Sequence, residues 1–136
     1  MPKLIWSVLC ESSIIDQQTN NVSLLKVLEQ VQYSTNATEK EEVVLPLNFQ
    51  HISLFQTDEK DNSKYDLLLE TVGPDGKTLV AVDANIDFSG KKRGRLILAI
   101  QGMKVAGPGI YHYRLSIKKP EGLVLLGQIP LEVQRS

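Results

Sequence analysis

The sequence of 136 residues is poor in the residues that carry chemistry, with one cysteine, two histidines and one tryptophan. A single cysteine, Cys10, cannot form a disulfide within the chain, which fits a reducing compartment. His51 and His112 have no nearby Cys or acidic residue at metal-ligand spacing, so the sequence predicts no metal site and no cofactor. The apolar run at residues 4–9 is too short for a signal-peptide core, and no run approaches the ~18 apolar residues of a membrane helix. We therefore expect a cytoplasmic protein that does not enter a membrane.

The sequence also has little charge of either sign in excess, because its formal net charge is −1. No global basic field attracts nucleic acid or anionic lipid, so we expect no nucleic-acid partner. The usual arrangements for nucleophilic catalysis are missing as well. No Gly-x-Ser-x-Gly elbow occurs, and Cys10 lies in an apolar segment where a thiol is usually inert. The sequence predicts a protein that is not an enzyme, with no catalytic residues.

What the chain does contain is alternation of apolar and polar residues with a period of two, the mark of half-buried strands. The last thirty residues show it best, as two extended runs separated by a break around Gly122. Short strands with regular turn signals predict one all-β domain over residues 1–136, an antiparallel β-sandwich, Ig-like or similar. About eight strands are predicted, over residues 4–11, 22–33, 49–57, 64–72, 78–86, 96–101, 110–117 and 123–133.

One of these predicted strands is ambiguous, and two further segments are predicted to be connections. Residues 22–33 have spacings that suit a helix as well as a strand, and the extended neighbours favour a strand. Residues 34–42 are polar and predict a loop. Gly73, Pro74 and Gly76 predict a tight hairpin turn, since proline presets φ and glycine accepts positive φ.

Several predicted strands carry three apolar residues in a row. Adjacent strand residues point to opposite faces, so such strands are apolar on both faces and something must cover the outer one. A helix, a crossing loop or another subunit would do this. We expect a homo-oligomer that associates through such a two-faced sheet. The triplets begin at Leu67, Val80, Leu96 and Val124.

The basic segment at residues 91–95 is the one concentrated charge in the sequence. It could contact an anionic partner, but no stacking aromatic accompanies it, so a charged turn before an apolar strand is the favoured interpretation. The predicted function is an interaction or assembly module, with copies of itself or an unknown protein as the partner. The alternative is a small-ligand or glycan-binding module. Its site would lie between the loops at residues 87–95 and 102–109, next to Phe88 or Tyr113.

Two aromatic residues have more specific predictions. Trp6 alternates with Leu4, Val8 and Cys10 on one strand face, which favours a place in the core. Tyr111 begins a strand directly after a Gly-Pro-Gly corner. Its hydroxyl group is expected to bond back to the preceding backbone, as in a tyrosine corner.

Two stretches together resemble a family of small bacterial β-sandwich proteins known only as a domain of unknown function. One runs from Leu9-Cys10-Glu11 into Val22-Ser23-Leu24-Leu25-Lys26, and the other joins Gly109-Ile110-Tyr111-His112-Tyr113 to the last strand. The family pattern is Cys-Asp, then Lys-Leu-x-Leu-x-Gly, then Gly-x-Tyr-x-Phe; Glu11, Leu25-Lys26 and Tyr113 depart from it. The resemblance implies a bacterial cytoplasmic β-sandwich and assigns no ligand or catalytic residue. It also favours the strand for residues 22–33.

Overall fold

Nine β-strands make up the computed structural model, which describes residues 2–35, 41–61 and 63–136. Those residues contain no helix, and so none that is long and apolar enough to span a membrane. The prediction of an all-β protein is confirmed, with nine strands where about eight were expected. The strands are β1 (Lys3–Ile15), β2 (Val22–Val27), β3 (Gln30–Tyr33), β4 (Val43–Asp61), β5 (Lys64–Val72), β6 (Thr78–Asp87), β7 (Lys91–Val105), β8 (Gly109–Lys119) and β9 (Gly122–Arg135).

The strands form two sheets that face each other across a shared core, as in a sandwich- or barrel-like fold. Sheet A has the order β2-β1-β4-β7, and sheet B has the order β3-β9-β8-β5-β6. Neighbouring strands are antiparallel except β3 and β9, which run parallel. The prediction of an antiparallel fold is therefore correct for all but this one pair.

Alternation sends every second side chain of the long strands into the core between the sheets. Phe49 of β4 meets Tyr113 of β8 edge to face, with ring centroids 5.9 Å apart. Tyr65 and Phe88 make a second contact of the same kind at 5.9 Å. Edge-to-face packing of this kind aligns the positive ring edge with the negative face of its neighbour. The first pair joins β4 of sheet A to β8 of sheet B, and the second joins β5 to the residue that follows β6.

Residues 22–33 form two strands that belong to different sheets. The chain leaves sheet A after Val27 and enters sheet B at Gln30. The amide of Leu28 still donates to the carbonyl oxygen of Leu9 at 2.8 Å, and the carbonyl oxygen of Glu29 accepts from the amide of Glu132 at 3.2 Å. The preference for strand over helix is confirmed, but the segment crosses between the sheets. Residues 36–40 of the predicted loop at 34–42 lie outside the described residues.

The two turn predictions agree with the structure. Gly73 and Lys77 close the β5–β6 turn through a bond of 2.9 Å, and Gly76 has a φ of 85°. The hydroxyl group of Tyr111 accepts from the amide of Ala106 at 2.7 Å and donates to the carbonyl oxygen of Gly107 at 2.6 Å. The tyrosine corner is confirmed, and it fixes the bend between β7 and β8.

The basic segment is not a turn, which corrects the prediction for residues 91–95. These residues open strand β7 and pair with β4, with Arg93 opposite Gln56 and Arg95 opposite Leu54. The turn lies just before them, where Ser89 and Gly90 both adopt positive φ. Strand alternation therefore sends Lys91, Arg93 and Arg95 to one face of the sheet.

Candidate functional site

A row of three side chains crosses the outer face of sheet A, the face turned away from the core. Trp6 of β1 pairs with Leu54 of β4, and Leu54 pairs with Arg95 of β7. Residues directly opposite on neighbouring strands share a face of the sheet. Two strand spacings of about 4.8 Å therefore separate the backbone of Trp6 from that of Arg95 by about 10 Å.

The β1–β2 hairpin bends back over this outer face. Strand β1 leaves β4 after Cys10 and continues with β2 alone. Two bonds hold the hairpin over the sheet. The hydroxyl group of Ser13 donates to Oε1 of Gln50 at 2.7 Å, and Nη2 of Arg95 donates to the carbonyl oxygen of Asn20 at 2.8 Å.

The hairpin explains how apolar residues on the outer face of sheet A are covered. Cys10 and Ile52 lie on this face, and both are fully buried. The sequence required a helix, a crossing loop or another subunit over an apolar outer face. Over sheet A this cover is a crossing segment of the same chain. Burial also raises the pKa of the Cys10 thiol, because the thiolate loses its hydration there.

The hairpin tip (residues 16–21) is held in shape by its own hydrogen bonds. The carboxylate of Asp16 accepts from the amides of Gln18 at 2.8 Å and Thr19 at 3.1 Å. These bonds lower the pKa of the Asp16 carboxyl group. Asn20 has a φ of 60°, which asparagine tolerates better than most residues. The tip therefore presents a fixed row of polar groups to the sheet.

A cleft of about 690 Å³ lies between the hairpin and the sheet. Its volume falls within the range of small-molecule sites. The hairpin contributes polar side chains, the sheet contributes an apolar floor, and β7 contributes the basic segment. The lining residues are Trp6, Thr19, Asn20, Asn21, Val22, Leu54, Lys91, Lys92, Arg93, Gly94 and Arg95.

The charge of this lining is entirely positive. Four cationic residues contribute to it, and none of the lining residues is an acid. Among the described residues the ion pairs use Lys26, Lys104 and Lys118, so none of them neutralises a cation of the cleft. A concave site with one sign of charge concentrates ligands of the opposite sign, even when the net charge of the protein is close to zero.

Among the cations of the cleft, Arg95 has a guanidinium group in which one buried N–H lacks a hydrogen-bond acceptor in the described part of the chain. Its Nη2 bonds to Asn20, whereas its Nε is buried and has no hydrogen-bond acceptor among the described residues. A buried donor without an acceptor costs about 1–3 kcal/mol. An acceptor oxygen brought to Arg95 would recover part of that cost, so the residue favours an anion at this position.

The structure corrects two predictions about aromatic residues. Trp6 is half-buried and lines the cleft, so its placement in the core was wrong. The basic segment was also said to lack an aromatic partner, and Trp6 lies across the sheet from it. Phe88 and Tyr113, beside which the ligand site of the alternative was expected, are both almost fully buried in the core.

His51, for which the sequence favours a structural or solvated role over metal binding, lies fully buried between two hydroxyl groups. Its Nε2 is 3.2 Å from Oγ of Ser7, and its Nδ1 is 3.4 Å from Oγ of Ser53. Burial lowers the pKa of His51 to about 4, so the ring is neutral at pH 7. A satisfied, uncharged imidazole of this kind is a structural element of the core. The strand alternation from Phe49 to Phe55 places His51 on the core face, and this signal was present in the sequence.

A second cavity of about 470 Å³ opens where β1 and β9 approach each other. It is largely apolar, with Val8, Val27 and Ile129 among its lining residues. It offers few groups that could orient a polar ligand. Among the described residues, no group of three or more His, Cys, Asp or Glu side chains is placed to hold a metal ion.

Comparisons with known proteins add no assignment to this site. No protein-family model matches the chain, and the search of curated proteins finds no match.

Proposed function

We propose that the protein is a binding module, without enzymatic activity, that takes a small anionic ligand in the cleft under the β1–β2 hairpin. The observation that carries the proposal is the lining, which joins four cationic residues, three of them with side chains on the cleft face of β7, to the only tryptophan of the chain and includes no acid. Arginine and lysine bind phosphate and carboxylate groups through charge-assisted hydrogen bonds. The cleft thus combines charge attraction with an apolar floor.

The shape of the cleft favours a small ligand over a nucleic acid. The hairpin tip lies across the sheet and is hydrogen-bonded to Arg95, so it covers one side of the site. The lining contains no carboxylate, imidazole or thiol group that could serve as a general base. These features support binding rather than turnover.

Isothermal titration calorimetry with pyrophosphate tests the proposal. We expect saturable binding at one site, weakened by added salt because the attraction is ionic. The variant Lys91→Gln/Arg93→Gln removes two cations from one face of β7 and should weaken binding at least roughly tenfold. Lys77→Gln/Lys119→Gln makes the same change in net charge away from the cleft and should bind like the wild type. Equal weakening in both variants, or no binding to the wild type, would refute the proposal.

Assembly into a homo-oligomer is the second candidate, and the edge strand β6 favours it. Among the described residues β6 pairs only with β5, and Val80 and Val82 on it are 36% and 45% exposed. Two copies could pair antiparallel about a two-fold axis at Val80. That register would place Lys77 opposite Asp83 of the partner subunit, next to the ion pair that Asp83 makes with Lys118 of its own chain.

Native mass spectrometry tests the assembly. A dimer that Val82→Lys converts to monomer would support it, since a charge on an edge strand blocks strand pairing. Val44→Lys is the control, because Val44 is also exposed but lies on β4. A monomeric wild-type protein would contradict this second candidate, and it would not bear on the proposal that the cleft binds an anion.

The proposal also covers the fold subtype of the protein, its location in the cell and its family. We propose an Ig-like arrangement of the two sheets, a cytoplasmic location and membership of the bacterial family whose pattern the sequence resembles. The buried, unpaired thiol of Cys10 supports a reducing compartment. The confirmed corner at Tyr111, within the Gly-x-Tyr part of that pattern, supports the resemblance.

A further inference from the structure

We infer that the ligand of the cleft is a mononucleotide, bound with its base against Trp6 and its phosphates against the basic segment. This inference rests on the proposed function and names the ligand class of the same site. It starts from the distribution of chemistry along the cleft. The aromatic and cationic groups stand at opposite ends of the row Trp6–Leu54–Arg95.

The length of this row decides what kind of anion uses both ends. Because the backbones of Trp6 and Arg95 are about 10 Å apart, a compact inorganic anion bound at the cations lies in the same cleft but does not stack on Trp6. A ligand with a planar ring joined to a phosphate through a spacer spans both. A mononucleotide has this form, with a pentose between base and phosphate.

Each end of the cleft suits its half of such a ligand. Tryptophan and other aromatic side chains stack on nucleic-acid bases, which contributes about 1–3 kcal/mol per base. The planar guanidinium groups of Arg93 and Arg95 match two phosphate oxygens at once. Leu54 lies between the two ends as an apolar floor under the spacer.

The hairpin tip supplies the polar groups that a base or a pentose requires. Thr19, Asn20 and Asn21 line the opposite wall of the cleft. Amide and hydroxyl side chains both donate and accept hydrogen bonds, as do base edges and sugar hydroxyls. The Asp16 carboxylate and the Arg95–Asn20 bond hold this wall in place. An inorganic anion would use only the donors of these groups and not their acceptor oxygens.

The test compares ADP with two fragments of it, pyrophosphate and adenosine, by isothermal titration calorimetry. We expect ADP to bind roughly tenfold more tightly than pyrophosphate, since stacking adds to the phosphate contacts. Adenosine should bind more weakly than ADP. Because Trp6 is the only tryptophan, ADP should also quench the intrinsic fluorescence, and pyrophosphate should do so less.

Two variants at Trp6 make the comparison specific to the ring. Trp6→Leu should remove most of the advantage of ADP over pyrophosphate, when both affinities are measured on the same variant. Trp6→Phe keeps a stacking surface and should retain part of the ADP advantage. This second variant keeps the test valid if leucine destabilises the fold.

The outcomes separate this inference from the proposed function. Equal affinities for ADP and pyrophosphate would overturn the mononucleotide and leave the anion site standing. No binding of either would overturn both. An oligothymidylate that binds the cleft more tightly than ADP would also overturn the inference, because the site would then belong to single-stranded nucleic acid.

Discussion

Nη2 of Arg95 donates a hydrogen bond of 2.8 Å to the carbonyl oxygen of Asn20, joining β7 to a hairpin that begins two strands away in sheet A. This bond gives Arg95 two roles. It holds the tip of the β1–β2 hairpin over the outer face, and it presents a guanidinium group to the cleft. Closure of the hairpin and binding in the cleft thus share one residue.

Replacing Arg95 by methionine should loosen the hairpin. The change keeps an unbranched apolar stem but removes the bond to Asn20, so the tip should open more often. The thiol of Cys10, which is fully buried on the covered face, should then react faster with Ellman's reagent. We expect an increase of several-fold over the wild type.

Arg114→Met is the matched control for this measurement. Arg114 also makes one side-chain bond, from its Nε to Oε1 of Gln128 at 3.2 Å, but it lies on sheet B. Its loss should leave the reactivity of Cys10 unchanged. The same thiol reactivity in Arg95→Met as in the wild type would show that Arg95 does not hold the hairpin.

His51 should make the stability of the fold depend on pH. The unfolded chain protonates His51 near pH 6.5, and the folded protein does so only near pH 4. Between these values the unfolded state binds more protons. The stabilisation of the fold that depends on a neutral His51 is therefore complete above pH 6.5. As the pH falls to about 4, protonation lowers the free energy of unfolding by about 3 kcal/mol in total.

Urea unfolding of the wild type and of His51→Gln over pH 4 to 7 measures this contribution. Carboxyl groups titrate in both proteins, so the difference between the two pH profiles isolates His51. The profile of His51→Gln should be flatter by about 3 kcal/mol over this range. Parallel profiles would mean that His51 is protonated equally easily in both states.

Gly109 should be the least replaceable glycine at the corner before β8. It has a φ of 142°, and a Cβ there would lie 2.6 Å from Cγ of Pro74, whose ring cannot move aside. Gly122 has a similar φ of 128°, but a Cβ there meets nothing within 4 Å. The two glycines therefore share backbone strain and differ in steric overlap.

Thermal and urea unfolding of Gly109→Ala and Gly122→Ala separate these effects. Both variants should lose stability, since alanine disfavours positive φ. Gly109→Ala should lose about 1–3 kcal/mol more than Gly122→Ala because of the overlap with Pro74. Equal losses would show that the corner yields to the added methyl group.

Tyr111→Phe should destabilise the protein by about 1–3 kcal/mol. The change deletes one hydroxyl group and leaves the amide of Ala106 and the carbonyl oxygen of Gly107 without this partner. Urea unfolding at pH 7 gives the difference. A loss below about 0.5 kcal/mol would mean that water replaces the hydroxyl group at the corner.

The elements that the sequence predicted well are the ones that local rules decide. The turn from Gly73 to Gly76 follows from proline and glycine at fixed positions, and the bounds of β5 follow from plain alternation. The corner at Tyr111 depends on a bend only a few residues away. In each case the determining contacts lie close together in the sequence.

The cleft could not be predicted in this way, because its residues meet through long-range pairing. A register shift between Leu4 and Trp6 turns Trp6 away from the core, although simple alternation puts both on one face. The pairing of Leu54 with both Trp6 and Arg95 joins residues almost ninety positions apart. Apolar alternation predicts the face of a residue only where the register is unbroken, and this shift breaks it.

The most direct test of the central claim is a titration with pyrophosphate followed by the indole N–H signal of Trp6 in a ¹H–¹⁵N correlation spectrum. One tryptophan gives one such signal, and it reports on the cleft alone. We predict a saturable shift of this signal in the wild type and a much weaker response in Lys91→Gln/Arg93→Gln. An indole signal that stays in place while pyrophosphate shifts backbone amides elsewhere would contradict the account, because the anion site would then lie outside the cleft.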